Sequence, residues 1–316
     1  MVKIAVAGGS GQLAREIIDE LVAQNKHEIL VLSRGDPVPE RTIKGTTWVK
    51  VDYSVDGLTQ ALKGVHTVFS FVLVHKDPDN AAQKALVDAA IAAGVKRFAP
   101  SEWGAQHVEG LDWYGGKAVI RDYLKEKNKD KKVIEYTLFR CGNLMQYLAS
   151  PYKTSAHIQP MSMAIDIHNR RALIVGDAPS LSTWTTIQDV AKIVAKAVDY
   201  EGEWPAEGGV RGTNISSRDL IALAEKIRGG RPFAVETFKV ADLKAEIFEP
   251  SWMPVIEHPS IPAEELASMV SYFLRHLLVA TTTGAMVVVD GWNRVFPEYK
   301  FTQVEEFLEE VWRGKE

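Results

Sequence analysis

The sequence of residues 3–14 is KIAVAGGSGQLA. Its first five residues favour a buried strand, and the segment after the glycines repeats an apolar residue every fourth position, at Leu13, Ile17 and Leu21. A glycine turn between a strand and a helix lets backbone amides approach a pyrophosphate, and the helix N-terminus adds partial positive charge. The stretch therefore predicts a dinucleotide-binding loop. Its predicted ligands are Gly8, Gly9, Ser10, Gly11, Gln12 and Leu13.

Short β-branched runs alternate with amphipathic segments through the first half of the chain. The candidate strands are residues 3–7, 28–33, 47–51, 67–72, 97–100 and 134–139. Further candidate helices are residues 79–93, which Gly94 ends, and residues 117–128. This alternation predicts βαβ units that build a doubly wound parallel sheet, the Rossmann type of α/β fold.

The second half of the chain is less regular. Four prolines interrupt it, at Pro151, Pro160, Pro179 and Pro205. We predict an NADP(H)-binding Rossmann domain over 1–150 and a smaller, mainly substrate-binding lobe over 151–316. Residues 172–175 and 182–187 predict a hairpin, and the helix 189–198 leads the segment 182–200 back to the first domain. Segments 263–281 and 303–313 are expected to close the substrate cleft.

Composition narrows the class of partner. A 46% hydrophobic and 25% charged chain of 316 residues is typical of a folded globular protein. The net charge of −4 offers no basic field for nucleic acid or an anionic membrane, so a small-molecule partner is expected. The single cysteine, Cys141, predicts a buried small side chain in a reducing compartment, with no disulfide framework and no metal site. Because no signal peptide is recognisable, we predict a cytoplasmic protein.

The end of the second strand predicts which nicotinamide nucleotide binds. An acidic residue there would bond a free ribose 2′-hydroxyl, whereas this chain has Ser33 and Arg34. A permanently charged guanidinium suits the adenosine 2′-phosphate, so NADPH is predicted over NADH. Arg41 or Lys44 would add a second cation. The alternative is that Arg34 merely ends the strand, and Asp36 lies close enough to compete for its charge.

Four stretches together resemble the NmrA-like, isoflavone-reductase-like branch of the atypical short-chain dehydrogenases. They are GGSGQLA at 8–14, the pair Ser33 and Arg34, VDY at 51–53 and VKRFAPSEWG at 95–104. The resemblance covers most of the chain and implies a bilobal fold with substrate between the lobes. It also implies that Ser101 borders the nicotinamide, Asp52 lies near the adenine and Phe71 lies beside the cofactor.

Lys117 is the residue to which this resemblance assigns a catalytic role. The Tyr-x-x-x-Lys pair of ordinary short-chain dehydrogenases is missing, because Trp113 stands at the tyrosine position. Tyr114 is a weaker candidate for proton donor. A lysine beside a cofactor in an apolar cleft has a lowered pKa and can act as general acid or base. Lys117 could instead only bind the nicotinamide ribose, and the two roles are compatible.

Substrate contacts are predicted at Trp103, Tyr114, Asn143 and Tyr147, and Asn143 is also expected to contact the cofactor. The first functional hypothesis is an NADPH-dependent reductase of an apolar aromatic or alkaloid-like molecule, acting on a C=O, C=N or activated C=C bond in secondary metabolism. One alternative is a non-catalytic NADP(H)-sensing regulator of the NmrA type. The other is a redox-neutral cyclase or pericyclase with a cofactor-bound cleft, since a fold does not determine its chemistry.

Overall fold

The computed structural model describes residues 1–37, 42–254 and 263–315, and the backbone alone for residues 263–266. Its main feature is a six-stranded parallel sheet in the order β3-β2-β1-β4-β5-β6. The strands are β1 (Lys3–Ala7), β2 (Glu28–Ser33), β3 (Thr47–Lys50), β4 (Thr67–Ser70), β5 (Arg97–Ala99) and β6 (Glu135–Tyr136). The predicted doubly wound parallel sheet is confirmed. The last four strands are shorter than predicted, because the chain leaves the sheet early to form loops.

Five helices cover the two faces of this sheet. They are α1 (Gln12–Ala23), α2 (Val55–Ala61), α3 (Ala81–Ala92), α4 (Gly115–Lys127) and α5 (Ile187–Asp199). On one face, Ile17 of α1 and Val194 of α5 share an apolar core with β1. On the other face, a second apolar core contains Leu58 of α2, Leu86 of α3 and Ile120 of α4. The sheet is therefore buried on both sides, as its nearly continuous apolar strands require.

The described residues from 143 onwards add two small mixed sheets and, beyond α5, five α-helices. The sheets have the orders β11-β10-β7 and β12-β9-β8. Their strands are β7 (Asn143–Leu144), β8 (Ile165–Asp166), β9 (Arg171–Val175), β10 (Leu181–Thr185), β11 (Thr213–Ser216) and β12 (Ala234–Phe238). The helices are α6 (Ser217–Ile227), α7 (Val240–Lys244), α8 (Ala263–Thr282), α9 (Gly291–Val295) and α10 (Val304–Trp312). No helix in the described ranges has the length and apolar character needed to cross a membrane.

The hairpin predicted from residues 172–175 and 182–187 is wrong. Both runs contain strands, but β9 pairs with β8 and β12, whereas β10 pairs with β7 and β11. The facing edges of the two strands pair with other strands: β9 lies between β8 and β12, and Trp184 of β10 lies opposite both Asn143 and Thr213. Alternating apolar residues indicate that a strand exists, but they do not identify its partner.

Residues from the end of the chain complete the core of the first sheet. Trp292 of α9 is fully buried and stacks on Phe139, with ring centroids 5.5 Å apart. Both residues belong to the core that contains α1, β1 and α5. The boundary at residue 150 stays a prediction, and α5 and Trp292 are parts of the second half that pack against the first.

Candidate functional site

A groove of about 760 Å³ opens at the carboxyl edge of the six-stranded sheet. It lies where the strand order reverses between β1 and β4, the place where doubly wound sheets bind ligands. Its lining includes several predicted cofactor ligands: Gly8, Gly9, Ser10, Gly11, Ser33, Arg34 and Phe71. The structure therefore brings the glycine loop and the Ser33–Arg34 pair to one cavity.

Two helices begin beside this groove, and their N-termini differ. At α3, the buried Asp77 carboxylate accepts hydrogen bonds from the backbone N–H groups of Ala82 at 2.8 Å and Gln83 at 3.0 Å. At α1, Gly11 is the N-cap residue and supplies no side-chain cap. Backbone N–H groups in the first turn of α1 are therefore available to an anionic ligand, whereas those of α3 already hold a carboxylate.

Glycine is needed at two loop positions for different reasons. Gly8 has a left-handed φ of +76°, and a Cβ there would lie 2.8 Å from the Phe71 carbonyl oxygen. A Cβ on Gly11 would meet only the Gly8 carbonyl oxygen, at 3.6 Å. Gly8 thus permits the fold of the loop, while Gly11 leaves space open in front of α1.

The charge of Arg34 is available to a ligand. Its guanidinium lies 5.9 Å from the centroid of the Tyr53 ring, and within the described part of the chain it forms no ion pair. Asp36, the expected competitor, is paired instead with Lys50 at 2.8 Å. Of the expected second cations, Lys44 is not part of the groove lining, and Arg41 lies outside the described residues.

Tyr53, rather than Asp52, faces the groove. Asp52 is exposed, and its carboxylate accepts hydrogen bonds from the Ser54 backbone N–H at 2.9 Å and the Ser54 hydroxyl at 2.7 Å. Tyr53 has a left-handed φ of +62° and lines the cavity, where burial raises the pKa of its phenol to about 12. The motif VDY marks this segment of the chain, but the left-handed backbone at Tyr53 decides which of its residues faces the groove.

Other groove residues carried no sequence signal. Lys76 and Asp79 line the cavity from two short 3₁₀ turns between β4 and α3, a segment predicted only as strand end and helix start. Asp79 has a left-handed φ of +56°. Such turns lack the periodicity by which helices and strands are recognised in a sequence.

Besides Asp52 and Lys117, four predicted cofactor residues lie away from the groove lining. The Gln12 side-chain oxygen accepts a hydrogen bond from the Gln159 backbone at 3.0 Å, and Leu13 packs against the core beside α1. The Ser101 backbone N–H donates to the Gln83 side chain at 3.1 Å. Asn143 lines a separate cavity of about 30 Å³ together with Met163 and Trp184.

Lys117 is buried on the inner face of α4. Its ammonium donates to the backbone carbonyl of Glu102 and lies 3.5 Å from the centroid of the Tyr114 ring. Burial lowers the pKa of Lys117 to about 8, against the opposing effect of the Glu102 carboxylate. The lysine therefore holds its proton at neutral pH and can release it with little driving force.

A buried ionic cluster, which the sequence did not predict, lies beside this lysine. The Glu102 carboxylate accepts two hydrogen bonds from Arg121, at 2.8 and 2.6 Å, and one from Arg140 at 3.2 Å. Arg140 also donates to Glu207. Such forked bonds hold a carboxylate in one orientation and thereby position the loop between β5 and α4.

Three of the predicted substrate residues shape apolar walls. Trp103 stacks on Phe71 at 4.4 Å, and its indole N–H donates to the Ser70 carbonyl at 2.7 Å. Tyr114 and Tyr147 pack against one apolar cluster, in which α8 takes part, and burial raises the pKa of both phenols to about 12. Tyr114 lies against Lys117, as described above. These phenols stay protonated at neutral pH and can donate but not readily lose a proton.

Cys141 is buried, as predicted, and its surroundings are poor in metal ligands. Burial raises the pKa of its thiol to about 12, so the sulfur is a neutral packing group. Across the described residues, no three His, Cys, Asp or Glu side chains come together in a way that could hold a metal ion.

A family model and similar proteins agree with this architecture. The model of the NmrA-like family matches residues 2–308. The chain belongs to the NmrA-like family. One relative, Oxidoreductase BOA1 of Botryotinia fuckeliana, is 33% identical over 238 residues, and the match covers 72% of this chain and 77% of that protein.

Two solved structures share the NmrA-like fold over nearly the whole chain. The NADPH-dependent quinone oxidoreductase QOR2 of Escherichia coli, complexed with NADPH, has a TM-score of 0.67 and 21% identity, and covers 98% of this chain and 100% of that one. A ternary complex of leucoanthocyanidin reductase from Vitis vinifera has a TM-score of 0.64 and 22% identity, with 98% of each chain covered. At these identities the similarity concerns the fold.

Proposed function

We propose that this NmrA-like protein is an NADPH-dependent oxidoreductase. The observation that carries the proposal is one groove with two anion-binding features that, among the described residues, face no anionic partner: the first turn of α1 and the guanidinium of Arg34. The first suits a pyrophosphate and the second an adenosine 2′-phosphate. The name of the 33% identical relative, an oxidoreductase, and the NADPH complex of the E. coli protein support the same assignment.

In the proposed reaction, different residues of this chain have different roles. When bound, NADPH supplies the hydride, and the protein supplies position and protons. Lys117 is the proposed proton donor, because its ammonium is buried and its pKa is lowered to about 8. Tyr114 covers the ammonium and keeps water from it, while Tyr147 contributes to the same apolar cluster. A substrate atom that gains negative charge during reduction would take the proton from Nζ of Lys117.

The substrate class we propose is an apolar aromatic or alkaloid-like molecule of secondary metabolism, reduced at a C=O, C=N or activated C=C bond. The support is the chemistry of the surrounding cluster, where Trp113 packs against Tyr114 and against Phe273 of α8. Such a wall favours flat, poorly charged ligands. The single buried cysteine fits a reducing, cytoplasmic location.

A titration of protein fluorescence with NADPH, NADP⁺, NADH and NAD⁺ tests the cofactor assignment. We expect NADPH to bind about 10- to 100-fold more tightly than NADH, because one charge-assisted contact to the 2′-phosphate contributes that much. Arg34→Ala should remove the difference. Arg218→Ala is the matched control, because Arg218 is an exposed arginine outside the groove. Equal affinity of the wild type for NADPH and NADH, or no binding of either, would contradict the proposal.

One observation favours the sensor as a second candidate. The Lys117 ammonium is enclosed, with its hydrogen bond directed to a backbone carbonyl. A sensor needs no accessible lysine. Lys117→Ala separates the two functions: a catalyst loses NADPH oxidation with its substrate but keeps NADPH binding, whereas a sensor oxidises no NADPH with any carbonyl, imine or alkene tested, and the variant changes nothing.

A further inference from the structure

Glu102 is held by two successive turns of one helix. Lys117 and Arg121 lie four residues apart on α4 and therefore on the same face. Lys117 donates to the backbone carbonyl of Glu102, while Arg121 grips its carboxylate in a fork. The position of the lysine nitrogen is thus tied to the position of this single acidic residue, which is 1% exposed.

The charges around Lys117 balance without it. Arg121 and Arg140 carry two positive charges, and Glu102 and the solvent-exposed Glu207 carry two negative charges, all joined by direct ion pairs. The remaining neighbours of the ammonium are uncharged: the Tyr114 ring at 3.5 Å and the buried Cys141 thiol. The charge on Lys117 is therefore the one in the cluster that no ion pair balances. Changes in the neighbouring charges shift the pKa of Lys117.

We infer that Glu102, clamped by Arg121 and Arg140, is a positioning residue that controls how strongly Lys117 holds its proton. The inference rests on the proposed function in treating Lys117 as the proton donor. A carboxylate stabilises a nearby ammonium and a guanidinium destabilises it, so the two partners of one ion pair act on Lys117 in opposite directions. An ion pair that only held the loop in place, too far from the ammonium to act on its charge, would shift the pKa of Lys117 in neither direction.

NMR titration of protein labelled with ¹³C at the lysine ε-carbons tests this inference without substrate or cofactor. The Lys117 signal is the one that Lys117→Arg removes. We expect Glu102→Gln to lower the titration midpoint of Lys117 by about one pH unit and Arg121→Gln to raise it by about one unit. Lys125→Gln should leave it unchanged, because that cation pairs with Asp122 on the exposed side of α4.

Arg121→Lys distinguishes charge from fork geometry. It keeps the positive charge and loses the second hydrogen bond, so the Lys117 midpoint should stay within a few tenths of a unit of the wild-type value. If Glu102→Gln does not fold, the difference in the Lys117 titration midpoint between Arg121→Gln and Arg121→Lys tests the inference. Shifts in the same direction for Glu102→Gln and Arg121→Gln, or no shift in Arg121→Gln, would overturn the inference. Since NADPH takes no part, failure here leaves the cofactor assignment standing, and failed NADPH binding leaves this result intact.

Discussion

The two parts of the proposed site are built in opposite ways: the groove is its open end, and the lysine cluster is its closed end. At the groove, Arg34 has no ion-pair partner within the described structure and contacts the Tyr53 ring, and the first turn of α1 has no side-chain cap. Around Lys117, by contrast, Glu102, Arg121 and Arg140 use their charges on one another. In the proposed function the groove receives an anion, whereas the lysine cluster is closed and burial lowers the pKa of its lysine to about 8.

This difference also determines how each end responds to mutation. Changes at Arg34 or in the first turn of α1 alter ligand affinity unless they disturb the backbone itself, because these groups have no ion-pair or capping partner among the described residues. Changes in the lysine cluster alter stability and pH dependence, because each buried group is a partner of another. Four variants test this contrast, from the largest expected effect to the smallest.

Gly8→Ala is expected to be the most damaging, and it probes the backbone of the open end. A left-handed alanine costs about 1–2 kcal/mol, and its Cβ would press on the Phe71 carbonyl, so the free energy of unfolding should fall by about 3 kcal/mol. Urea denaturation measures it. Gly11→Ala is the matched control: we expect nearly wild-type stability but NADPH affinity reduced by about tenfold, since its Cβ occupies the space in front of α1. Equal stability of the two variants would contradict this reading of the loop.

Lys117→Met tests the closed end through pH. A lysine in the unfolded chain titrates at 10.5, whereas the folded pKa is about 8, so below pH 8 both states hold the proton and the full cost of burying the ammonium is present. At pH 7 the variant should be more stable than wild type by about 2 kcal/mol, after allowance for the lost bond to Glu102. Between pH 8 and 10.5 the unfolded state binds more protons, so wild-type stability rises and the advantage should vanish. Thermal unfolding across this range measures it, and a pH-independent difference would contradict the lowered pKa.

Asp77→Ala tests whether the N-terminus of α3 differs from that of α1 because of its cap. The variant leaves two N–H groups at Ala82 and Gln83 without their carboxylate, so we expect a loss of about 1–2 kcal/mol in the free energy of unfolding. Asp77→Asn should lose less, because its amide oxygen can still accept. Chemical denaturation of the three proteins measures the series. If Asp77→Ala matches the wild type, the carboxylate does not cap α3.

Tyr53→Ala is expected to have the smallest effect, on the open end. Without the ring, Arg34 loses a cation–π contact of about 0.5–1 kcal/mol that holds it over the groove, so NADPH affinity should fall about threefold. Tyr53→Phe keeps the ring and should bind as the wild type does. Fluorescence titration compares them. An equal loss for NADH would indicate that Tyr53 acts through the adenine rather than through Arg34.

The sequence predicted those features that a short stretch of chain encodes. The strand, glycine turn and helix of 3–23 are contiguous, and Arg34 directly follows β2, so the open end was predicted from local pattern. The lysine cluster was not, because Glu102 meets Arg121 and Arg140 across 19 and 38 residues. The family resemblance implied Asp52 near the adenine, but Tyr53 lines the groove, and a left-handed backbone torsion has no sequence signal in a non-glycine residue.

The stacking of Trp292 on Phe139 has a consequence for biosynthesis. All six strands of the main sheet leave the ribosome long before α9 does, and until then one face of that sheet lacks the buried ring of Trp292. Exposed apolar surface of this kind attracts chaperones and promotes aggregation. A nonsense mutation upstream of Trp292 should therefore yield a truncated chain that aggregates or is degraded. The N-terminal half should not persist as a folded, cofactor-binding protein.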